Sequence, residues 1–368
     1  MQTYLGAYYV VYYLLVVVVS ALITIFAIPS ILHVARTRHL YDDVGHFRKQ
    51  HDHGIPRLGG VAIFVGFTIT LLLFSIIDKT IPVSYLLAGS LILFIVGIKD
   101  DLSGVNPSTK LLIQIVVATL LVIVGDIRFT SMYGILGYHD ISYTVSVILS
   151  ILFIILIVNA FNLIDGIDGL AATTCIVANG AFAVIFICIN HYELAVVSLA
   201  IVGALFGFLR FNITPAKIFM GDAGSLLIGL ITALMAVRLI EINKVTVSSS
   251  TPEIISAPAV TFAILIGPIF DTVRVFVMRI LNGKSPFLAD RNHIHHRILN
   301  LGFSHMQTTL LLAAVNIGLI VAVYSLSFLG NFILMILIFS LSMLFNWGLT
   351  VALRTKQREK LSFRNLFV

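Results

Sequence analysis

Charge and cysteine are both scarce in this sequence. Only 11% of the 368 residues are charged, and the two cysteines, Cys175 and Cys188, lie in one apolar run. Two cysteines in one run exclude a disulfide framework and a Cys-x-x-Cys metal site. Linkers, low-complexity tracts and soluble-looking segments are also missing, so residues 1–368 are predicted to form a single transmembrane domain.

Long apolar runs are what the sequence has in abundance. Many exceed the about 20 residues that cross the hydrocarbon core of a bilayer, so we predict an all-α polytopic integral membrane protein. The first run is too long for a signal peptide and has no basic segment before it, which predicts a retained helix. Eleven transmembrane helices are predicted, over residues 8–32, 58–77, 82–98, 110–125, 141–161, 169–189, 194–211, 223–243, 259–282, 307–329 and 332–353.

The net charge of +6 comes from basic residues that flank the apolar runs. Such a distribution sets the orientation of a membrane protein, so no nucleic acid partner is expected. Most Lys and Arg residues fall on one side if the N-terminus lies outside, which predicts an outside N-terminus and a cytoplasmic C-terminus. The loops then predicted on the cytoplasmic side are 33–57, 99–110, 162–169, 212–225 and 283–306.

Four polar clusters fall in these loops. They are KDDLSGVNPSTK (99–110), NLIDGIDG (162–169), FMGDAGS (219–225) and SPFLADRNHIHHR (285–297). Asp100 and Asp101 are also compatible with an ordinary solvated loop, and Asp222 with a helix N-cap. Gly221 and Gly224 flank the start of a helix, where free backbone N–H groups favour an anion.

The spacing in NLIDGIDG favours a functional helix end. Asn162, Asp165 and Asp168 lie three residues apart, so a continuous helix would spread them around its surface. Gly166 and Gly169 allow the chain to leave the helix and gather these polar groups in a turn.

The motif HIHHR suggests a zinc site by composition, but its surroundings favour phosphate. His293, His295 and His296 have no cysteine beside them, whereas Arg291 and Arg297 are close in sequence. Imidazole and guanidinium N–H groups are hydrogen-bond donors that suit phosphate oxygens.

Several carboxylates on one membrane face repel one another unless a cation organises them. Mg²⁺ prefers oxygen ligands and takes one or two carboxylates together with substrate phosphates, so Mg²⁺ is the predicted cofactor, with Mn²⁺ as an alternative. A site at the membrane surface suits a reaction between a soluble nucleotide and a lipid held in the bilayer. The competing hypothesis is a transporter or flippase for a lipid-linked or nucleotide-sugar substrate, which would place ionisable groups near the midplane.

Five stretches between residues 48 and 297 carry a family resemblance. They are RKQHDHGIPRLGGVAIF, DDLSGVNPSTKLLIQ, NAFNLIDGIDGLA, FMGDAGS and DTVRVFVMRILNGKSPFLADRNHIHHR. In their order and spacing the chain resembles the polyprenyl-phosphate N-acetylhexosamine-1-phosphate transferases. The resemblance implies transfer of an N-acetylhexosamine-1-phosphate, most simply N-acetylglucosamine-1-phosphate, from a UDP-N-acetylhexosamine to undecaprenyl phosphate, with release of UMP. It further implies a bacterial inner (cytoplasmic) membrane enzyme that initiates a cell-envelope polysaccharide such as O-antigen or teichoic acid.

The same resemblance implies a role for each matching side chain. The implied catalytic residues are Asp100, Asp101, Asp165, His293, His295 and His296. The implied substrate-binding residues are Lys110 for phosphate, Asp168 and Phe219 for uracil, and Arg291 for the donor. The implied metal ligands are Asp222 and Asn162.

The histidine motif separates two branches of the family. The peptidoglycan branch carries three consecutive histidines, whereas HIHH, IPRLGG and eleven spans resemble the branch that uses UDP-N-acetylglucosamine or a related donor. The stretch YDDVGHFRK departs from the family pattern, so Asp42 and Asp43 receive no catalytic role. Asp271 and Arg274, in the ninth span, fit a buried structural pair and a part of the site equally well. A CDP-alcohol phosphotransferase would need a DG-x-x-A-R pattern, which is absent from this sequence. The sequence leaves open whether the protein forms a homodimer.

Overall fold

The computed structural model describes residues 2–40, 54–74, 83–137, 139–246, 255–283 and 292–357. Asp42, Asp43 and Arg291 lie outside these residues. The α-helices are α1 (Gln2–Thr37), α2 (Gly59–Phe74), α3 (Val83–Ser103), α4 (Pro107–Thr119), α5 (Tyr143–Ile164), α6 (Leu170–Cys188), α7 (Tyr192–Asn212), α8 (Gly221–Thr246), α9 (Ala257–Leu281), α10 (Ile294–Asn300), α11 (His305–Ser325) and α12 (Asn331–Gln357). A π-helical turn over Leu120–Val124 continues α4.

The prediction of an all-α polytopic membrane protein is confirmed. Each predicted span coincides with a helix, and within the described residues ten helical segments are long and apolar enough to cross a membrane. The exception is α2, which has 16 residues and ends at the limit of the described chain. The short helix α10, inside the predicted loop 283–306, was not expected, because seven residues are too few for a periodic apolar pattern. The sides on which the termini lie stay a prediction.

The chain divides into two compact units. The first unit comprises Met1–Arg128 and Val147–Arg238, and the second comprises Phe129–Ser146 and Leu239–Val368. Every contact described below lies within one unit. The single catalytic domain predicted from the sequence stays a prediction.

Glycines allow close helix packing in the first unit. A Cβ atom on Gly203 would lie 2.4 Å from the carbonyl oxygen of Val17, and one on Gly207 would lie 2.5 Å from that of Ala21. Small residues of this kind let helix backbones approach in membranes, where packing rather than the hydrophobic effect drives association. The same device recurs at the start of α2, where a Cβ on Gly60 would lie 2.2 Å from the backbone nitrogen of Gly224.

A proline inside α9 is compensated by a side chain of α11. Pro268 has no N–H group, so it cannot donate to the carbonyl of Ile264, one turn earlier in the helix. The side-chain amide of Asn316 donates to that carbonyl at 3.2 Å, and both groups are buried. In hydrocarbon an unpaired carbonyl is costly, so Asn316 stabilises the packing of α11 on α9.

This compensation predicts a coupling between Asn316 and Pro268. Asn316→Leu is expected to lower the free energy of unfolding by about 1 kcal/mol, because the Ile264 carbonyl loses its donor. In a Pro268→Ala background the restored backbone N–H takes over, so the same Leu substitution should cost little. Thermal unfolding of the four proteins in detergent measures the coupling, and equal costs of Asn316→Leu in both backgrounds would contradict it.

Candidate active site

The site of the first unit is built around the start of α8. The backbone before α8 pairs with the backbone before α2: Phe219 N donates to the carbonyl of Pro56 at 2.9 Å, and Gly59 N donates to the carbonyl of Phe219 at 2.9 Å. Gly221 has φ of 73°, and a Cβ there would lie 2.3 Å from the carbonyl oxygen of Arg57. Both the conformation and the space therefore require glycine, and the IPRLGG and FMGDAGS motifs form one paired structure.

Asp101 caps the N-terminus of α8. One of its carboxylate oxygens accepts from the backbone N–H of Asp222 at 2.7 Å, and the other accepts from that of Ala223 at 3.0 Å. A Cβ on Gly97 would lie 2.4 Å from the Cα of Ala223, so glycine lets α3 come this close. The backbone N–H groups expected to be free for an anion are thus taken by a carboxylate of the protein itself. The catalytic role implied for Asp101 stays a prediction, whereas the contacts that it makes fix the position of Asp222.

Lys110 joins two acids to which the resemblance gives different roles, Asp100 in catalysis and Asp222 as a metal ligand. Its Nζ lies 3.0 Å from Oδ2 of Asp100 and 2.7 Å from Oδ2 of Asp222. The other oxygen of Asp100 accepts from the backbone N–H of Val105 at 2.7 Å. The polar clusters 99–110 and 219–225 therefore meet at one ammonium group.

The end of α5 brings amides to the same place. The side-chain amide of Asn162 donates to Oδ1 of Asp222 and to Oγ of Ser225, the latter at 2.9 Å. One turn earlier, the side-chain amide of Asn159 donates to Oε1 of Gln114 at 2.7 Å. Gln114 is buried and lies one turn after Lys110 on α4. Sequence reasoning missed Gln114, although its four-residue spacing from Lys110 places both on one helix face.

The predicted break in the helix is confirmed. The helix α5 ends at Ile164 and α6 begins at Leu170, with Gly169 at φ of 77°. Asp165 lies in the turn between them. Burial, followed by the charges of Asp222 and Asp101, raises its pKa to about 7, against the opposing effect of Arg57. The carboxylates of Asp165, Asp222 and Asp101 are therefore close enough for their ionised forms to disfavour one another.

The residues implied in uracil binding lie at the rim of this site. Oδ2 of Asp168 accepts from Oγ1 of Thr214 at 3.1 Å, and the Phe219 ring is half-buried. Asn212 connects their loops, because its side chain accepts from the backbone of Gly169 and donates to that of Ile218, both at 2.8 Å. The uracil-binding roles stay predictions, and Asn212 is a connecting residue that no sequence pattern indicated.

The donor set of this site fits Mg²⁺. Carboxylate oxygens of Asp222 and Asp165 and the amide oxygen of Asn162 are hard ligands. Burial is the main cause of the raised pKa of Asp165, and the negative charges of Asp222 and Asp101, which a cation would relieve, add to it. Among the described residues, no three His, Cys, Asp or Glu side chains form a metal cage by themselves. Mg²⁺ commonly takes only one or two carboxylates and completes its shell with water and substrate phosphates.

The histidine cluster belongs to the second unit and is largely buried. His293 and His295 stack with ring centroids 5.6 Å apart, and His295 and His296 lie 4.2 Å apart. His295 is 1% exposed. Burial, then the neighbouring His296, lowers the pKa of His295 to about 3, so the ring is neutral at physiological pH. A neutral imidazole offers one N–H donor and one acceptor, rather than a positive charge.

Arg297 differs from the phosphate donor expected from the sequence. It is buried, its Nη1 donates to the side chain of Asn346, and its Nη2 donates to Oγ1 of Thr350 at 2.5 Å. Burial, then the charge of Arg274, lowers its pKa to about 10. Arg297 anchors α10 to α12, because both partners lie on one face of α12, four residues apart.

The cap on α8 gives a prediction about stability. Asp101→Ala removes the acceptor for two backbone N–H groups and is expected to lower the free energy of unfolding by about 1–2 kcal/mol. Asp101→Asn retains one acceptor oxygen and should recover part of the loss. Thermal unfolding measures both, with Asp126→Asn as the matched control, because Asp126 is an exposed acid of the same unit and asparagine tolerates its φ of 48°. Unchanged stability of Asp101→Ala would contradict the cap.

Comparisons with known proteins identify the family of the chain. The profile of glycosyl transferase family 4 matches residues 83–240. A probable undecaprenyl-phosphate N-acetylglucosaminyl 1-phosphate transferase of Bacillus subtilis is 33% identical over 87% of this chain and 88% of its own length. A decaprenyl-phosphate N-acetylglucosaminephosphotransferase of Mycolicibacterium smegmatis is 33% identical over 72% of this chain and 70% of its own. An undecaprenyl-phosphate alpha-N-acetylglucosaminyl 1-phosphate transferase of Escherichia coli O157:H7 is 31% identical over 83% of this chain and 82% of its own. With its helical fold and its converging acids, the chain belongs to glycosyl transferase family 4.

Proposed function

We propose that the protein transfers N-acetylglucosamine-1-phosphate from UDP-N-acetylglucosamine to undecaprenyl phosphate and so initiates a cell-envelope polysaccharide. The observation that carries the proposal is the bridge of Lys110 between Asp100 and Asp222, in a chain whose relatives bear the names of such transferases. An oxygen of the lipid phosphate attacks the β-phosphorus of the donor. The bond from this phosphorus to the bridging oxygen breaks, and UMP leaves with that oxygen.

The residues of the first unit divide the work of this reaction. Lys110 binds phosphate oxygens. Asp100, which is hydrogen-bonded to Lys110, acts on the lipid phosphate, either as a base or as an orienting group. Asp222 and Asn162 would hold Mg²⁺, or Mn²⁺ in its place, and the bound ion would neutralise charge on the diphosphate of the donor. Asp165 lies beside them in the turn after α5. Asp168 and Phe219 hold the uracil.

The decisive experiment is a donor panel. Protein purified in detergent is incubated with Mg²⁺, undecaprenyl phosphate and single UDP-sugars, and UMP is measured. UDP-N-acetylglucosamine should release UMP with lipid product, whereas UDP-N-acetylmuramoyl-pentapeptide should not, because HIHH marks the other branch. Release with the pentapeptide donor alone would move the chain to the peptidoglycan branch. Binding of intact nucleotide sugar without UMP from any donor would favour the transporter hypothesis.

The site is proposed to face the cytoplasm of a bacterial inner membrane, where nucleotide sugars are found. Ser103 and Lys217 are exposed near the site. Their Cys variants, in a background without Cys175 and Cys188, should react with an impermeant thiol reagent only from the cytoplasmic side. Asn190→Cys, in the opposite loop between α6 and α7, is the matched control and should react only from outside. Labelling of either site residue from outside would contradict the topology.

A further inference from the structure

A buried acid of α9 holds the histidine loop. Asp271 is 3% exposed, and its Oδ2 lies 2.9 Å from Nδ1 of His293. Its Oδ1 accepts from the backbone N–H of Ile294 at 2.9 Å and from Nη2 of Arg274 at 3.1 Å. Arg274 in turn donates to the backbone carbonyl of Asn292. Asp271 and Arg274, whose role the sequence left open, thus contact three consecutive residues of the loop.

We propose that Asp271 is a positioning residue, which fixes the ring orientation and the tautomer of His293 for sugar-phosphate transfer. The role of His293 in the reaction rests on the proposed function, whereas its tautomer rests on the geometry alone. Oδ1 of Asp271 has two partners that can only donate, the Ile294 N–H and the Arg274 guanidinium, which is the environment of an ionised carboxylate.

The ionised carboxylate determines where the proton on His293 lies. A carboxylate only accepts hydrogen bonds, so the ring nitrogen that faces Oδ2 must carry hydrogen. In the neutral ring, Nδ1 is therefore the donor and Nε2 keeps its lone pair. Nε2 can then accept a hydrogen bond or take up a proton, and a protonated ring can donate to a phosphate oxygen. A buried carboxylate that orients a histidine in this way is a recurrent feature of catalytic and metal sites.

A merely structural role would not require this contact. The loop is already anchored from its other end, since Arg297 donates to Asn346 and Thr350 on α12. Asp271 instead contacts the ring of His293 directly, and His293 stacks on His295 with an interplanar angle of 10°. The orientation of one ring therefore affects the next.

Asp271→Asn is the variant that separates the two roles. The asparagine keeps an oxygen for the Ile294 N–H, but its amide group can donate to Nδ1 of His293. The other tautomer, with hydrogen on Nε2, is then favoured. The shape of the side chain is conserved, so the backbone contact of the loop should survive.

The tautomer is measured by ¹⁵N NMR of histidine-labelled full-length protein, with His293 assigned from the spectrum of His293→Gln. The wild-type protein should show hydrogen on Nδ1, and Asp271→Asn should shift the ring to the Nε2–H form. In Asp271→Asn, the kcat with UDP-N-acetylglucosamine should fall about 10- to 100-fold. In a His293→Gln background, the same substitution of Asp271 should leave the kcat unchanged. Thr350→Val, which loosens the Arg297 anchor, is the matched control and should leave the tautomer unchanged.

Three results would overturn the proposal. The first is an Nε2–H tautomer of His293 in the wild-type protein, a result that does not depend on the folding of Asp271→Asn. The second is an unchanged tautomer or an unchanged kcat in Asp271→Asn. The third is an equal loss of kcat in Thr350→Val, which would make Asp271 an ordinary anchor. A protein that shows the expected tautomers but transfers no sugar-phosphate with any donor would instead contradict the proposed function.

Discussion

Asp222→Ala is expected to raise the Mg²⁺ requirement of the reaction and to lower kcat/KM by more than about 10²-fold. The carboxylate contacts Lys110 and Asn162 at the start of α8. Its loss removes the oxygen that, by our proposal, binds the metal ion, and leaves Lys110 with Asp100 as its described partner. Donor binding should weaken together with turnover, because the donor diphosphate would share the ion. UMP release at several Mg²⁺ concentrations and calorimetry with UDP-N-acetylglucosamine measure the two effects.

Asp126→Asn is the matched control for Asp222→Ala, because asparagine tolerates the φ of 48° at this position. Asp126 belongs to the same unit and is exposed, with a single surface ion pair to Arg128. Such pairs contribute little to stability, so both the Mg²⁺ dependence and the kcat of this variant should equal those of the unmodified protein. Tight donor binding with a normal Mg²⁺ dependence in Asp222→Ala would reject the metal assignment.

Asp100→Asn is expected to leave donor and metal binding in place while kcat falls by about 10² or more. The amide keeps an oxygen for the Val105 N–H but lacks the charge that Asp100 presents to Lys110 and, by our proposal, to the lipid phosphate. Full activity in this variant would reject a role for Asp100 in the reaction.

The pH dependence of Asp100→Asn distinguishes two roles for the acid. The second pKa of a phosphate monoester is about 6, so much of the lipid phosphate is dianionic at neutral pH. If Asp100 is a base, raising the pH removes the need for it and the defect shrinks. If Asp100 orients the phosphate, the defect is independent of pH. Single-turnover rates between pH 6 and pH 9, compared with those of the unmodified protein, decide between these outcomes.

The sequence predicted the helices and the break after α5 more fully than the contacts between the polar side chains. The membrane helices can be predicted by counting apolar runs long enough to cross a bilayer, because each such helix makes its backbone hydrogen bonds within itself. The break in NLIDGIDG was also predictable, since glycines mark the place where the chain leaves the helix. These are local properties, and both are found in the structure at α5 and α6.

The partners of single side chains were not predictable, because they depend on contacts between distant segments. Asp100 and Asp101 are adjacent and chemically identical, yet one binds Lys110 and the other caps α8. Only the close approach of α3 and α8 at Gly97 distinguishes them. Arg297 was expected to face phosphate and is buried against α12, a helix that begins more than thirty residues later.

The bridge at Lys110 makes ligand binding an exchange of partners. Oδ2 of Asp222 already has a cation 2.7 Å away, so a metal ion that takes this oxygen must compete with the ammonium group. By thermodynamic linkage, the affinity of Asp222 for the ion and its affinity for Lys110 oppose each other by the same factor. A Lys110 that moves to a substrate phosphate leaves the carboxylate to the metal. Metal and phosphate are therefore expected to bind with positive cooperativity, through one side chain that serves each in turn.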